Sequence, residues 1–326
     1  MNEIKLFGMP GTIPFAEKVA AQLDLSLGRY TYKLFDDKEP YIRSDENVRN
    51  MDVYIISSLC FTKDFTPSEK FMQLLMFIGS LRDASAGKIN VVVPFMAFSR
   101  MDRKTQPREP IATKYVAQLL ESVGTNRIIC CDIHNLSSFQ CSFRINTDNL
   151  EAKNLFAKHV AATIKNHKNI AVLSPDSGGM SRASRFRNAL NNILKENVGL
   201  AYLDKSRSQA GDVSGNHIVG DVKDKQVVII DDMISSGKTI KQCVDTVKSH
   251  GGTVWAICAT HGLFVGKVND YLAGVNKIII TDTINHFDDL DKSILEKIEI
   301  VSTTEMFAKA IRRTNQGGSI SSLLKD

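Results

Sequence analysis

Between Val227 and Ile240 the chain reads VVIIDDMISSGKTI: an apolar run, two adjacent carboxylates, then small hydroxylated residues, a glycine and a lysine. Backbone N–H groups that converge at the start of a helix make such a segment a phosphate site. Its tail, Ser236-Gly237-Lys238-Thr239, matches the end of a nucleotide-binding P-loop, which requires G-x-x-x-x-G-K-[ST]. Asp232 occupies the first glycine position, where a carboxylate would face a triphosphate, so the P-loop reading fails. What survives is a strand, two acids and a small-residue turn into a helix. The N–H groups from Ser235 to Thr239 can cradle a single phosphate, leaving Asp231 and Asp232 to accept hydrogen bonds from a polyol. Phosphate at one end and hydroxyls at the other describe a sugar phosphate.

Four more stretches carry chemistry-bearing residues. VVVPFMAFSRMDRKTQPREPI (91–111) puts Arg100, Arg103, Lys104 and Arg108 in one loop with Asp102 and Glu109. That many cations suit a polyphosphate, although a solvated charged loop is the ordinary reading of a charge run alone. In CDIHN (131–135), Asp132 and His134 are spaced i, i+2, and on extended backbone they share a side. The pair is either a divalent-metal site or a histidine satisfied at a strand end. In SPDSGG (174–179), Gly178 and Gly179 allow close backbone approach to a diphosphate, and Asp176 can reach its magnesium. The plainer alternative is a turn into a helix beginning near Ser181. Finally, residues 202–222 form a long polar insertion with Lys205 and Arg207 near its start, read as a lid or as a simple surface loop.

The elements that must position these residues are apolar runs at 53–57, 89–94, 127–134, 170–175, 227–232, 253–261 and 277–283. Several are apolar at consecutive positions, which predicts strands buried on both faces of a parallel sheet. Helical patterns separate them. Tyr115, Val116, Leu119, Leu120 and Val123 are read as one face of a helix stopped by Gly124; Ile240, Cys243, Val244 and Val247 form another, stopped by Gly251-Gly252. Alternating strand and helix means α/β, with ligands at the carboxyl ends of strands. The pattern looks duplicated, with a polar helical segment over 149–168 joining the halves. The length of 326 residues suits two domains, read as 1–150 and 151–326.

A net charge of +5 suits anionic small molecules and is too weak to argue for nucleic acid. The six cysteines include no C-x-x-C pair and are expected to be free and buried, in a reducing compartment. The N-terminus shows no basic start followed by an apolar core, and no apolar stretch is long enough to span a bilayer. The expected location is the cytoplasm, without membrane association.

Taken in order, FDDKE (35–39), SRMDRKTQPREPI, CDIH, SPDSGG, the DKSR segment, GDVKDKQVVIIDDM, THGLF (260–264) and KAIRRTNQGGSI (309–320) resemble the ribose-phosphate pyrophosphokinase, or phosphoribosyl pyrophosphate (PRPP) synthetase, family. The resemblance covers essentially the whole chain. It implies two phosphoribosyltransferase-like α/β domains, each a mostly parallel sheet flanked by helices, with the C-terminal tail packing back on the N-terminal domain. It implies transfer of the diphosphoryl group of Mg-ATP to the 1-hydroxyl of ribose 5-phosphate, giving PRPP and AMP. By that resemblance ATP falls to Phe35, Asp37, Lys38, Glu39, Arg100, Met101 and Asp102, with the Phe35 segment reaching across a subunit contact. Metal, as Mg2+, falls to His134 and Asp176. Lys205 and Arg207 are the catalytic lid cations. Asp231, Asp232, Ser235, Ser236, Gly237, Lys238 and Thr239 hold ribose 5-phosphate. The implied assembly is a dimer-based homo-oligomer, up to a hexamer.

The sequence departs from the usual family pattern in several places. Met101 stands where glutamine is usual, Ser235 where an acid is usual, Lys238 where glycine is usual, and Arg144 where an acid is common. The stretch after His134 is one residue longer. Lys238 either reinforces phosphate binding or crowds the turn, if its backbone needs a positive φ. A catalytically silent regulatory subunit of the same fold is the alternative. It would be expected to lose His134 or the cations Lys205 and Arg207; these and Asp176 are all present. A phosphoribosyltransferase acting on a base would leave FDDKE and DKSR without a role.

Overall fold

The computed structural model describes residues 3–204 and 217–323. The chain divides into two compact units, Met1–Glu151 with Thr303–Asp326, and Ala152–Ser302.

The first unit runs β1 (Ile4–Gly8), α1 (Ile13–Gln22), β2 (Tyr30–Leu34), β3 (Pro40–Ser44), β4 (Asp52–Ile56), α2 (Pro67–Asp83), β5 (Lys88–Val93), α3 (Ala112–Ser122), β6 (Arg127–Cys131), α4 (Leu136–Ser142) and β7 (Asn146–Leu150). Its sheet is parallel in the order β1-β4-β5-β6-β7, and β2 pairs antiparallel with β3 as a separate hairpin. DVYII of β4 is buried at every position, so both faces of the strand are covered; that is why the run is continuously apolar rather than alternating. A capping box fixes the start of α2: Glu69 N–H donates to Thr66 Oγ1, and Thr66 N–H donates to the Glu69 carboxylate.

The second unit runs α5 (Lys153–Thr163), β8 (Ile170–Ser174), α6 (Met180–Leu194), β9 (Gly199–Asp204), β10 (His217–Val219), β11 (Gln226–Ile234), α7 (Lys238–Ser249), β12 (Thr253–Gly262), α8 (Val268–Leu272), β13 (Ile278–Thr281), α9 (Lys292–Leu295) and β14 (Ile298–Val301). The strand order is β10-β9-β8-β11-β12-β13-β14, parallel except where β10 pairs with β9. The chain leaves β8 toward β9 on one side and later places β11 on the other. The strand order therefore reverses between β8 and β11, which opens a crevice at their carboxyl ends. The last helix, α10 (Thr304–Gln316), belongs to the first unit. Its Phe307 packs edge-on against Phe15 of α1 at 5.6 Å, and its Thr314 and Asn315 bond Tyr54 and Asp52 of β4.

This is the two-domain α/β fold with parallel sheets flanked by helices that the sequence implies. Three local expectations are corrected. The apolar run at 127–134 ends as a strand at Cys131, because Asp132 turns the chain with φ 39°. Residues 146–150, partly inside the expected helical joint, form strand β7 paired with β6. On α3 the buried positions are Thr113, Val116, Ala117 and Leu120, while Tyr115 and Leu119 are exposed. No helix among the described residues is long and apolar enough to cross a membrane.

Candidate functional site

Two loops leave the β8/β11 crevice of the second unit. After β8, residues 175–179 turn into α6. Ser174 Oγ donates to the Asp176 carbonyl at 2.7 Å, and Gly179 N–H donates to Asp176 Oδ1 at 3.0 Å. A Cβ on Gly179 would lie 2.5 Å from Ser174 Oγ, so a side chain there would displace the Ser174 hydroxyl from its bond to the Asp176 carbonyl. Its Asp176 is exposed at the turn.

After β11 comes the acid pair and the small-residue turn. Asp232 is buried and Asp231 half-buried. Asp232 N–H donates to Asp231 Oδ1 at 2.9 Å. Burial and the neighbouring Asp232 carboxylate push the Asp231 pKa well above the usual carboxylate value, and the Arg182 guanidinium opposes them. Arg182 lies in the first turn of α6, with Nη1 at 3.4 Å from Asp231 Oδ1 and 3.4 Å from Asp232 Oδ1. Sequence reasoning missed this residue. Nothing in the run Met180-Ser181-Arg182 marks it, because the contact exists only once α6 lies beside β11.

The turn itself is braced from the side. Ser235 O accepts from Val265 N–H at 3.1 Å, and Ile234 O accepts from Leu263 N–H at 2.9 Å. Gly237 takes the left-handed conformation, φ 83°, and Lys238 begins α7. The positive φ therefore falls on the glycine, and Lys238 does not crowd the turn. The N–H groups of Ser236, Gly237 and Thr239 meet no acceptor among the described residues, and Lys238 N–H makes only a long 3.4 Å bond to Ser236 Oγ. A row of open donors at the head of a twelve-residue helix is an anion cradle. Beside it, His261 at the end of β12 is buried, with Nδ1 2.8 Å from Thr283 Oγ1, and the Thr281 and Thr283 hydroxyls donate to Thr260 O. This hydroxyl cluster fixes the neighbouring strand ends.

In the first unit, Phe35, Asp37, Lys38 and Glu39 gather in the turn between β2 and β3. Phe35 N–H donates to Glu39 O and Lys38 N–H to Phe35 O, both at 2.9 Å, and Glu39 N–H donates to Asp37 Oδ1 at 3.1 Å. Lys33 Nζ sits over the Phe35 and Tyr41 rings at 5.3 and 5.0 Å. Phe35 remains exposed. Arg100, Met101 and Asp102 lie in the loop after β5. Asn135 Nδ2 donates to Asp102 Oδ2 at 2.5 Å and Ser138 Oγ donates to Asp102 O at 3.0 Å. The loop is thus tied to the turn that carries His134, which is exposed. Glu109 gathers the rest of the loop, accepting from the N–H groups of Thr105 and Gln106. No hydrogen bond, ion pair or ring contact among the described residues joins the Phe35 turn to the Arg100 loop.

The chain bends at Asp132, which is buried, so the segment is not the extended one on which Asp132 and His134 would share a side. Arg144, where an acid is common, holds Glu121 of α3 through its own N–H at 2.5 Å and its guanidinium at 3.6 Å. Lys205 and Arg207 lie outside the described residues.

Comparison with known proteins follows the same division. The description "N-terminal domain of ribose phosphate pyrophosphokinase" matches residues 4–124, and "Phosphoribosyl transferase domain" matches residues 146–286. A ribose-phosphate pyrophosphokinase of Haemophilus ducreyi is 34% identical over 326 residues, covering 99% of both chains. Ribose-phosphate pyrophosphokinase A of Dictyostelium discoideum is 35% identical over 95% of this chain and 94% of its own. The crystal structure of phosphoribosylpyrophosphate synthetase from Mycobacterium smegmatis superposes with a TM-score of 0.84 at 30% identity, over 97% of this chain and 100% of that one. Sequence along the full length and fold in both halves agree: the chain belongs to the ribose-phosphate pyrophosphokinase family.

Proposed function

We propose that this chain transfers the diphosphoryl group of ATP to the 1-hydroxyl of ribose 5-phosphate, giving PRPP and AMP. The observation that carries the reading is the β11 loop. Open N–H groups at the head of α7 suit a phosphate, and two carboxylates one strand turn away suit ribose hydroxyls. Lys238, exposed at the first position of α7, adds a cation beside the phosphate. Asp176 and the glycine turn after β8 stand on the adjoining strand, where the diphosphate is expected.

ATP falls to the Phe35 turn and the Arg100 loop. The exposed Phe35 turn, uncoupled from the Arg100 loop of its own chain, serves a neighbouring protomer's nucleotide in a homo-oligomer. By the family resemblance, Lys205 and Arg207 neutralise the charge that builds as the β-phosphorus is attacked. No group of three or more His, Cys, Asp or Glu that could hold a metal occurs among the described residues. Asp176, exposed on the glycine turn after β8, suits Mg2+, a hard cation that commonly takes one or two carboxylates and the substrate phosphates. Asp176 and His134 are the ligands proposed. When bound, the ion would offset the charge of the phosphates. Six unbridged cysteines support work in a reducing cytoplasm.

The test is AMP formation from ATP and magnesium, with and without ribose 5-phosphate, alongside direct assay of PRPP. Sugar-dependent AMP with matching PRPP is the expected result. AMP that ignores the sugar, or none from folded protein, would overturn the reading.

A further inference from the structure

We infer that Arg182 is a positioning residue for the sugar site: its guanidinium, shared between Asp231 and Asp232, keeps both carboxylates in the acceptor form that a ribose diol needs. This deepens the sugar-phosphate reading of the β11 loop and rests on it.

Adjacent residues at one strand end bring two carboxylates together, Asp232 buried and Asp231 half-buried. A sugar hydroxyl that donates a hydrogen bond needs an ionised carboxylate; a protonated one turns part of its capacity into a donor. The pair is under pressure to hold a proton, because burial and mutual repulsion both raise Asp231. Among the described residues, Asp232 from its own strand raises the Asp231 pKa and Arg182 from α6 lowers it. On the adjoining strand β12, the residue in register with Asp231 is Ala259, and His261 stands opposite Met233 with its Nδ1 turned to Thr283. Arg182, together with the Asp232 N–H that bonds Asp231 Oδ1, therefore favours the ionised form of Asp231.

The geometry suits this role. Arg182 Nη1 stands at 3.4 Å from each acid, so it supplies charge to both. Arginine suits the position because its guanidinium stays protonated even where water is scarce. Its place in the first turn of α6, directly after the Asp176 turn, also links the two loops of the crevice.

The experiment measures ribose 5-phosphate binding by calorimetry across pH in the full-length wild type, Arg182→Gln and Arg182→Lys, with KM for each substrate and a thermal unfolding check. Sugar affinity falls as pH drops through the Asp231 pKa. Without the guanidinium that pKa rises further, so the fall begins at higher pH. Arg182→Gln is expected to weaken sugar binding near neutral pH on the order of tenfold for each unit the titration moves, with ATP KM little changed. Affinity should return as pH is raised, and Arg182→Lys should keep its acid limb near that of the wild type. Wild-type affinity in Arg182→Gln, or a loss equal at every pH, would overturn the inference while leaving the sugar site intact. A wild-type chain that binds no ribose 5-phosphate would overturn both the sugar reading and the inference.

Discussion

Asp231 and Asp232 combine two unfavourable conditions, burial and like charge, at one strand end. A fold tolerates this where a ligand uses it. Replacing Asp231 by Ala is expected to raise KM for ribose 5-phosphate roughly 10- to 100-fold, the loss of a hydrogen bond to a charged group. KM for ATP should hold steady; equal loss of both substrates would argue against the sugar assignment. Lys238 is exposed and acts by charge, so Lys238→Ala should cost only about 0.3–1 kcal/mol of sugar-phosphate affinity, and less at high salt. A salt titration of the two KM values checks this. The acid pair and the turn after it were legible in the sequence because they are contiguous. Arg182 was not, because it is 49 residues from Asp231 and meets it only across packed elements.

The β11–α7 connection is the element on which the phosphate cradle depends. Gly237 is held at φ 83°, where a side chain costs about 1–2 kcal/mol, and an added Cβ would meet Leu272 at 3.1 Å. Gly237→Ala should therefore lower stability in urea titration by at least that much and weaken sugar-phosphate binding together with it. Unchanged binding would mean that the turn is not the phosphate site. Helix faces were read unevenly. Ile240, Cys243, Val244 and Val247 of α7 are all buried, as their spacing implies. On α3, residue type misled: Ala117 and Thr113 are buried where the helix lies close to its neighbours, and the larger Tyr115 and Leu119 are left outside. Close packing selects small side chains at contact points, so apolar size alone does not locate the inner face.

Across the whole molecule, the C-terminal helix completes the first unit. Phe307 is fully buried against Phe15, and Phe307→Ala should cost about 3–5 kcal/mol. Hydrogen exchange should show the loss of protection in residues 3–151 and 303–323 rather than in 152–302; the reverse pattern would contradict the division into units. Cysteine burial gives a second measurement. Cys141 is exposed while Cys60, Cys130, Cys131, Cys243 and Cys258 are buried, and burial pushes the Cys130 and Cys258 thiols up. A thiol reagent should modify Cys141 in the native chain and the others only on unfolding. The sequence by itself determined the α/β class, the continuously apolar strands and the family, because periodicity and contiguous motifs are written in neighbouring residues. Only the tertiary structure decided that Asp132 bends away from the strand and that Arg182 stands over both acids. Those features depend on contacts between residues far apart in the chain, and one-dimensional spacing carries no record of which distant surfaces pack together.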